Sequence, residues 1–252
     1  MSELFSIQLQ NRQQQGRDGV WLDLPTTTEQ VQAALRQIGI SSDNPQGLFI
    51  SGYFAEEEKR FAIPYNMVLA SNVDELNFLA SRLETLSAGE RAELNAALQA
   101  PQSELSSIGR ITDFPENVDY YVHLPEVHGP AQLGDYYLNR SGMVDMPEEW
   151  KGGIDTAQFG RYVAQQEQGA FTQYGYLVKS GDDWQKVHEG QPVPEEYRVL
   201  SFPAPEVLRD LANIPPPVQP ETEPQKVIPI ILNGKDSVEP VSYTHLRAHE
   251  TE

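Results

Sequence analysis

The stretch IDTAQFGRYVAQQEQGAFTQYGYLV, which runs from Ile154 to Val178, contains the clearest change from helical to strand patterning in the chain. Its first half carries apolar and aromatic side chains at helical spacing, namely Ile154, Phe159, Tyr162 and Val163. Asp155 can cap this helix, and Gly169 ends it. The aromatic run from Phe171 to Val178 then predicts a strand with one break at Gly175. No catalytic group lies in the stretch, so it predicts a structural α+β unit.

The N-terminal part is predicted to be rich in strands. Short alternating or apolar runs predict strands at Leu4–Leu9, Val20–Leu24 and Leu48–Phe54. The second and third are separated by a helix that begins near Thr28 and ends before Gly39. Trp21 lies on a short strand, and we expect it to anchor the core of this part.

The middle of the chain is predicted to be helical. One apolar stripe follows Asn72 or Asp74, which can cap the helix, and a second helix begins at Ser87 and ends before Pro101. In the second helix Glu90 and Glu93 are expected to face water. A short third helix is predicted from Ser103 to Ile108.

Beyond this helical part, the sequence predicts a strand at Asp119–Leu124, a helix beginning at Leu133–Leu138, and a turn at Pro147–Trp150. We expect Trp150 to fill a gap in the core. Prolines and glutamates between residues 203 and 226 predict an extended linker. Residues 227–241 begin with an apolar run that predicts the start of a further, truncated module. The last segment, 242–252, resembles an adaptor-derived tail.

Net negative charge is the most informative feature of the composition. The 252-residue chain has 37 acidic and 18 basic residues and a formal net charge of -19. Such a charge disfavours binding to nucleic acid or to an anionic membrane and favours a basic partner. There are no cysteines, and no apolar run approaches the roughly 20 residues of a membrane helix. We therefore expect a cytoplasmic protein.

The acidic residues are concentrated between Phe61 and Phe159, where fifteen acidic residues accompany only five basic ones. Carboxylates three or four residues apart on a helix lie about 5–6 Å apart. A row of them can therefore approximate the phosphate track of a duplex, which carries one charge per roughly 1.7 Å. The alternative is a set of ordinary solvated helix faces and caps. The candidates are Asp74, Glu75, Glu84, Glu90, Glu93, Glu104, Asp113, Glu116, Asp119, Glu126, Asp135, Asp145, Glu148, Glu149 and Asp155.

Few residues suggest catalysis or cofactor binding. His123 and His128 are five residues apart with Pro125 between them, which does not match a helical zinc motif. A serine-hydrolase elbow, a Walker loop and a dinucleotide glycine motif are absent from the sequence. We predict no catalytic residue, no metal and no cofactor, although the many carboxylates leave an acid–base enzyme open.

Four motifs occur in the order found in the ArdA family of antirestriction proteins. They are Gly19–Pro25 (GVWLDLP), Leu48–Tyr53 (LFISGY), Val73–Asn77 (VDELN), and the segment from Glu167 to Tyr176, with Glu-Gln-Gly, Phe-Thr and Tyr-Gly-Tyr. The chain resembles this family over about residues 3 to 180. The resemblance implies an elongated, acidic, dimeric mimic of bent duplex DNA that occupies the DNA site of Type I restriction-modification enzymes. It implies an inhibitor and not an enzyme.

Dimerisation through the C-terminal domain is also implied by the resemblance. The residues of this chain that could serve that interface are Phe159, Tyr162, Phe171, Tyr174 and Tyr176. The same aromatic side chains could form the core of the domain, and we favour the core for most of them.

We therefore predict an α+β chain of small stacked domains. These are an N-terminal α/β domain (1–70), a helical middle domain (71–112) and a C-terminal α+β domain (113–202), followed by the linker and the tail described above. The predicted function is competitive inhibition of a Type I restriction-modification enzyme. The alternative is an accessory module of a mobile genetic element that binds another basic or DNA-binding protein.

Overall fold

The computed structural model describes residues 4–14, 18–40, 47–56, 61–101 and 103–200. The fold is of the α+β class, as predicted. Its strands are β1 (Phe5–Asn11), β2 (Val20–Leu24), β3 (Leu48–Phe54), β4 (Tyr121–Leu124), β5 (Ala170–Thr172) and β6 (Gly175–Lys179). Its α-helices are α1 (Thr28–Gln37), α2 (Tyr65–Leu69), α3 (Val73–Glu84), α4 (Ala88–Gln99), α5 (Ile108–Thr112), α6 (Pro130–Asp135), α7 (Glu148–Lys151) and α8 (Thr156–Glu167). A π-helical turn, Tyr136–Arg140, follows α6.

The strands form two antiparallel three-stranded sheets. Sheet A has the order β2-β1-β3, and sheet B has the order β4-β6-β5. In sheet A the residues alternate along β1, with Phe5, Ile7 and Leu9 buried and the residues between them half-buried. This period of two places one face of the sheet on the core and leaves the other face to solvent.

Helix ends follow the polar residues that cap them. Thr27, Asn72 and Ser87 each accept a bond from the backbone N–H three residues on, and the side chain at that third position bonds back to the cap. These reciprocal bonds satisfy amide groups that the first helical turn leaves unpaired. Asn72, and not Asp74, is therefore the cap of α3.

The main core is shared by sheet A and helices α1, α3, α4 and α5. Its fully buried side chains include Ile7, Leu35, Leu79 and Ile111. A smaller cluster lies between α6, α8 and sheet B. The domain limits given above, and the arrangement of the domains, stay predictions. The predicted linker, further module and tail at 203–252 lie outside the described residues.

Several sequence predictions were wrong in detail. The short third helix is α5, five residues later than predicted, because Ser107 provides its cap. The predicted strand from Phe171 to Val178 is a hairpin, β5 and β6, since Gly175 has a φ of 120° that reverses the chain. Trp21 and Trp150 are 49% and 66% exposed, so neither is a core residue. None of the helices in the described ranges combines the length and the apolar character that a bilayer crossing requires.

Helices α6 and α8 approach each other through glycines. A Cβ atom at Gly160 would lie 1.8 Å from the carbonyl oxygen of Pro130, and one at Gly134 would lie 2.0 Å from that of Thr156. Neither backbone oxygen can rotate away, so any side chain at these positions must push the helices apart.

We expect Gly160→Ala to lower the free energy of unfolding by about 1–3 kcal/mol, which is the usual cost of overpacking. The matched control is Gly89→Ala in α4, where an added Cβ meets no atom within 4 Å; alanine should be neutral or slightly stabilising there. Thermal unfolding of both variants measures the difference. Equal melting temperatures for the two variants would contradict the close approach of α6 and α8.

Candidate functional site: an acidic surface

Four of the predicted carboxylates are exposed, lie outside any ion pair that the described residues form, and cap no helix, namely Asp119, Glu126, Asp145 and Glu149; a fifth, Asp155, is exposed and outside these pairs but caps α8. The four come from the turn before β4, the turn after β4, the loop before α7, and α7 itself. Short turns and a four-residue helix hold them at the protein surface. These side chains can meet basic groups of a partner without first giving up an internal one.

A second group of exposed or half-exposed carboxylates is neutralised by internal basic residues. Glu104 bonds Arg110 at 2.6 Å and Lys179 at 2.7 Å, and the bond from Lys179 is the main reason that its pKa is lowered. The other ion pairs are Arg82–Glu116, Arg140–Asp135 at 2.7 Å and Lys151–Glu148 at 2.7 Å. Exposed pairs of this kind contribute only about 0–1 kcal/mol each, so a partner's basic residues can exchange with the internal ones at low cost.

A third group serves mainly to cap helices. Glu75 and Glu90 are the third residues of α3 and α4, and their carboxylates accept the N–H groups of Asn72 and Ser87. The hydroxyl and amide of Ser87 lower the pKa of Glu90. Asp155 caps α8, as predicted, by accepting the N–H groups of Ala157 and Gln158 at 2.9 and 3.0 Å. Glu84, near the end of α3, is half-exposed.

Asp74 and Asp113 accept hydrogen bonds inside the fold from the segment Ser180–Leu200, which we call the strap. Asp113 is fully buried, and its carboxylate accepts the N–H groups of Val187, His188 and Glu189 at 3.2, 2.6 and 3.2 Å. It therefore contributes nothing to an exposed surface, and its inclusion among the surface carboxylates was wrong.

Asp74 is half-buried and accepts the N–H groups of Val199 and Leu200 at 2.7 and 2.8 Å. Burial raises the pKa of this carboxyl, and the two amide bonds oppose that rise. The partners lie 125 and 126 residues away in sequence. Asp74 thus fixes the end of the strap to α3.

The structure brings Glu90, Glu93 and Asp119 close enough to interact. Contrary to the prediction that it faces water, Glu93 is half-buried. Its Oε1 atom is buried without a hydrogen-bond partner. Burial, reinforced by the charges of Glu90 and Asp119, raises the pKa of Glu93 to about 8. At neutral pH the Glu93 carboxyl is mostly protonated, so it adds little to the negative charge of the surface.

Glu93 makes stability dependent on pH. Between about pH 4.5 and 8 the folded protein holds a proton on Glu93 that the unfolded chain has released, so the free energy of unfolding falls as pH rises through this window. We expect Glu93→Gln to flatten that dependence and to stabilise the protein at pH 8 by about 1 kcal/mol, allowing for screening at a partly exposed site.

The control for this prediction is Glu126→Gln, an exposed carboxylate outside the cluster. Thermal unfolding at pH 5, 6.5 and 8 gives the comparison. The difference in melting temperature between Glu93→Gln and the parent protein should grow with pH. A constant difference would contradict a buried, protonated Glu93.

Within the described ranges, one group of side chains has the spacing of a metal site. Ligand atoms of Asp113, Glu116 and His188 lie within 4.8 Å of one another. Both oxygens of Asp113 already accept backbone N–H groups, and Glu116 pairs with Arg82. Asp113 therefore serves to hold the strap, and Glu116 is engaged with α3. The histidines considered in the sequence lie elsewhere: the Nε2 atom of His123 is 2.7 Å from the carbonyl oxygen of Tyr174, and His128 is exposed.

Comparison with protein families decides the identity of the chain. Residues 15–178 match the family model described as "Antirestriction protein (ArdA)". The chain belongs to the ArdA family of antirestriction proteins. Proteins of this family are inhibitors rather than enzymes. No curated protein matches the chain in a sequence comparison. The match ends before the strap, so the residues whose backbone N–H groups bond Asp113 and Asp74 lie beyond the ArdA match.

The geometry gives a physical reason for the C-terminal ArdA motif. Glu167 accepts hydrogen bonds from the hydroxyl groups of Tyr137 at 2.5 Å and of Tyr176 at 3.0 Å. Burial and the Glu167 carboxylate raise the pKa of both tyrosines, so both remain protonated donors. Gln168 ends α8 at a φ of 56°, and a Cβ atom at Gly169 would collide with the Tyr176 hydroxyl. Glu167 was not among the predicted site residues.

The aromatic candidates for a dimer interface differ in exposure. Tyr176 is fully buried, and the half-buried Phe171 packs against it with a ring-centroid distance of 4.9 Å. Phe159 and Tyr174 are half-buried. Tyr162 is 60% exposed on α8. Tyr162 therefore has the most free surface of the five, and Tyr176 belongs to the core.

Proposed function

We propose that the protein inhibits Type I restriction-modification enzymes by competing with duplex DNA for their DNA-binding cleft. The observation that carries the proposal is the acidic stretch from Phe61 to Phe159, with fifteen acidic and five basic residues, whose exposed members include Asp119, Glu126, Asp145 and Glu149. Membership of the ArdA family supports an antirestriction role. No bond is made or broken in this mechanism.

The proposed energetics are those of DNA binding with the acidic side chains in place of phosphates. The partner's lysine and arginine residues meet carboxylates, so binding replaces counterions on both surfaces and weakens as salt rises. Carboxylates already paired inside the protein, such as Glu104 and Glu116, contribute less than the unpaired ones. The enzymes act on DNA inside the cell, which makes the cytoplasm the proposed place of action.

The test is displacement of labelled duplex DNA from a Type I methyltransferase core by the 252-residue chain at two salt concentrations. We expect full displacement at low salt and weaker displacement at high salt. A folded protein that displaces no DNA at either concentration would remove the restriction enzyme as the target. A different basic partner, as in a mobile-element accessory module, would then be the better explanation.

We also propose a homodimer formed through the C-terminal part, with Tyr162 at the interface. Exposed aromatic side chains are the commonest energetic anchors of protein interfaces. We expect Tyr162→Asp to weaken self-association at least tenfold, because a charge would replace an apolar contact. Sedimentation equilibrium measures this, and Tyr65→Asp, at a tyrosine with 50% exposure in the N-terminal part, is the control. Equal weakening by both variants, or by neither, would argue against an interface at Tyr162.

A further inference from the structure

Strand β2 lies at an edge of sheet A, and a groove of about 220 Å³ separates it from helix α1. The residues that line the groove are Val20, Trp21, Leu22 and Asp23 of the strand, then Thr26, Gln30, Ala33, Ala34 and Gln37. From Val20 to Asp23 the strand rises about 10 Å, and so does the helix from Gln30 to Gln37. The groove is therefore as long as three or four residues of an extended chain. Its volume is below the roughly 300–1,000 Å³ of sites for small organic ligands.

The groove runs along the backbone edge of β2 and not over one face of the sheet. Successive side chains of a strand point to opposite faces, and Leu22 is buried in the core. Trp21 points to the outer face, where a Cβ atom at Gly52 would lie 3.0 Å from its Cη2 atom. Asp23 points the same way, and its Oδ1 atom accepts the hydroxyl of Ser6 at 2.6 Å. Residues of both faces line one groove only where their backbones share an edge, so the groove lies beside the N–H and C=O groups of β2.

The backbone groups along this edge have no strand partner. β2 pairs with β1 on one side only, and an edge strand directs alternate N–H and C=O groups away from its one neighbour. Within the described residues, the backbone of Val20–Asp23 forms hydrogen bonds only with β1. The outward groups can therefore pair with another extended chain, which is a common mode of peptide recognition.

The charges around the groove favour a basic segment. Asp23 is exposed and is the one acidic residue among the nine that line the groove, and none of the nine is basic. A smaller hollow of about 20 Å³ shares Gln37 with the groove and is lined by the exposed Asp18, again without a basic residue. Side chains directly opposite on paired strands have Cβ atoms about 4.5–5.5 Å apart. A basic side chain on an added strand can therefore reach Asp23.

We propose that the groove binds an extended basic segment of the protein partner, which pairs with β2 as a fourth strand of sheet A. One row of its side chains faces Ala33 of α1, and a basic residue in the other row pairs with Asp23. This inference rests on the proposed function for the identity of the partner, a basic DNA-binding enzyme. It adds directional backbone bonds to a surface that otherwise attracts through charge.

A second copy of the chain is a poorer occupant of the groove. Each copy carries a net charge of -19, so the two edges repel each other at long range. A second self-pairing surface, beside the dimer interface proposed above, would also join dimers into open-ended assemblies.

The first test does not need the enzyme. The peptide acetyl-Thr-Val-Arg-Val-Thr-amide is titrated into the 252-residue chain while hydrogen exchange of the backbone amides is followed by NMR. We expect saturable slowing of exchange at alternate residues of β2. An analogue methylated on the backbone nitrogens of its three central residues should have no effect, because it cannot pair as a strand. Asp23→Asn should bind the parent peptide about two- to threefold more weakly, which is the usual contribution of one exposed ion pair.

Strand β3, the other edge of sheet A, is the internal control for this experiment. A peptide that adds to any exposed edge would slow exchange in both strands. Slowing in β2 that is no greater than in β3, or equal binding of the methylated analogue, would overturn the inference.

Filling the groove tests its location. Ala33→Phe places a ring between α1 and β2 without changing the strand, and we expect it to weaken peptide binding about tenfold or more. The control is Gln99→Phe, at the exposed last residue of α4, which should match the parent protein. If Ala33→Phe does not fold, Gln37→Phe, at the exposed last residue of α1, replaces it. Unchanged peptide binding in a folded groove variant would overturn the inference.

The DNA-displacement assay tests the partner. Ala33→Phe should weaken displacement about tenfold with a nearly unchanged dependence on salt, because most of the lost contacts are uncharged. Displacement equal to that of the parent protein would overturn the inference. So would a variant that lowers only self-association in a protein that binds no peptide, since the occupant would then be a second copy. If the parent protein displaces no DNA but β2 still responds to the peptide, the proposed function fails and the strand-addition site stands.

Discussion

Replacing the four unpaired carboxylates by amides, in the variant Asp119→Asn, Glu126→Gln, Asp145→Asn and Glu149→Gln, should weaken DNA displacement about thirtyfold at low salt. Each exposed ion pair with a partner is worth about 0.5 kcal/mol, and four of them give about 2 kcal/mol, which is roughly thirtyfold in affinity. The same variant should show a shallower dependence on salt, because fewer counterions are released when it binds. Competition against labelled duplex at two salt concentrations measures both quantities.

A matched control separates the position of these charges from their number. The variant Asp182→Asn, Asp183→Asn, Glu195→Gln and Glu196→Gln removes the same charge from exposed residues of the strap, outside the acidic stretch. It should weaken displacement less than fivefold. Similar weakening by both variants would mean that net charge alone governs binding, and that these four carboxylates form no specific surface.

Asp113→Ala is expected to cause the largest loss of stability in the described part of the chain. The substitution leaves three partly buried N–H groups of the strap without their acceptor; an unsatisfied group costs about 1–3 kcal/mol when it is fully buried. Some of these groups will reach water, so we expect a net loss of about 3 kcal/mol, or roughly 10 °C in melting temperature for a domain of this size. The strap should also become sensitive to proteases between Ser180 and Leu200.

The control for this variant is Asp145→Ala, which removes an exposed aspartate. A surface change of this kind should alter the free energy of unfolding by less than about 0.5 kcal/mol. If Asp113→Ala melted within about 2 °C of the parent protein and resisted proteolysis equally, the hydrogen bonds between Asp113 and the strap would not be a major source of stability.

Much of the fold could be predicted from local sequence patterns. The bounds of β2 and β3 agree with the prediction residue for residue, and helices α1, α3 and α4 begin at capping residues that the sequence displays. These features depend on near neighbours along the chain, where alternation and capping chemistry act. The prediction of an α+β fold followed from them.

The errors arose where contacts between residues far apart in the sequence determine the structure. Trp21 was expected in the core because its strand is apolar, but it lies on the outer face of sheet A, and Leu22 and Leu24 take the inner one. The sequence pattern predicts one strand where β5 and β6 form a hairpin, because an aromatic residue, Tyr174, lies within the turn. Tyr174 within that turn carries no local turn signal, although Gly175 does.

The structural use of acidic residues was the hardest feature to predict. Asp113 and Asp119 are six residues apart in similar sequence surroundings, yet one is fully buried and the other is exposed. The partners of Asp113 are 74 to 76 residues away, so no local pattern distinguishes the two. A count of acidic residues therefore overestimates the exposed charge, and the carboxylates that carry the proposed function are a subset of the fifteen.

The most direct test of DNA mimicry is the dependence of inhibition on DNA concentration. A Type I restriction-modification enzyme is assayed with increasing duplex at fixed salt, and the concentration of the protein that halves activity is measured at each point. Competition for one cleft predicts that this concentration rises in proportion to the DNA once the DNA exceeds its own dissociation constant. A value that stays constant while the DNA increases would place the protein at a site other than the DNA-binding cleft and would contradict mimicry.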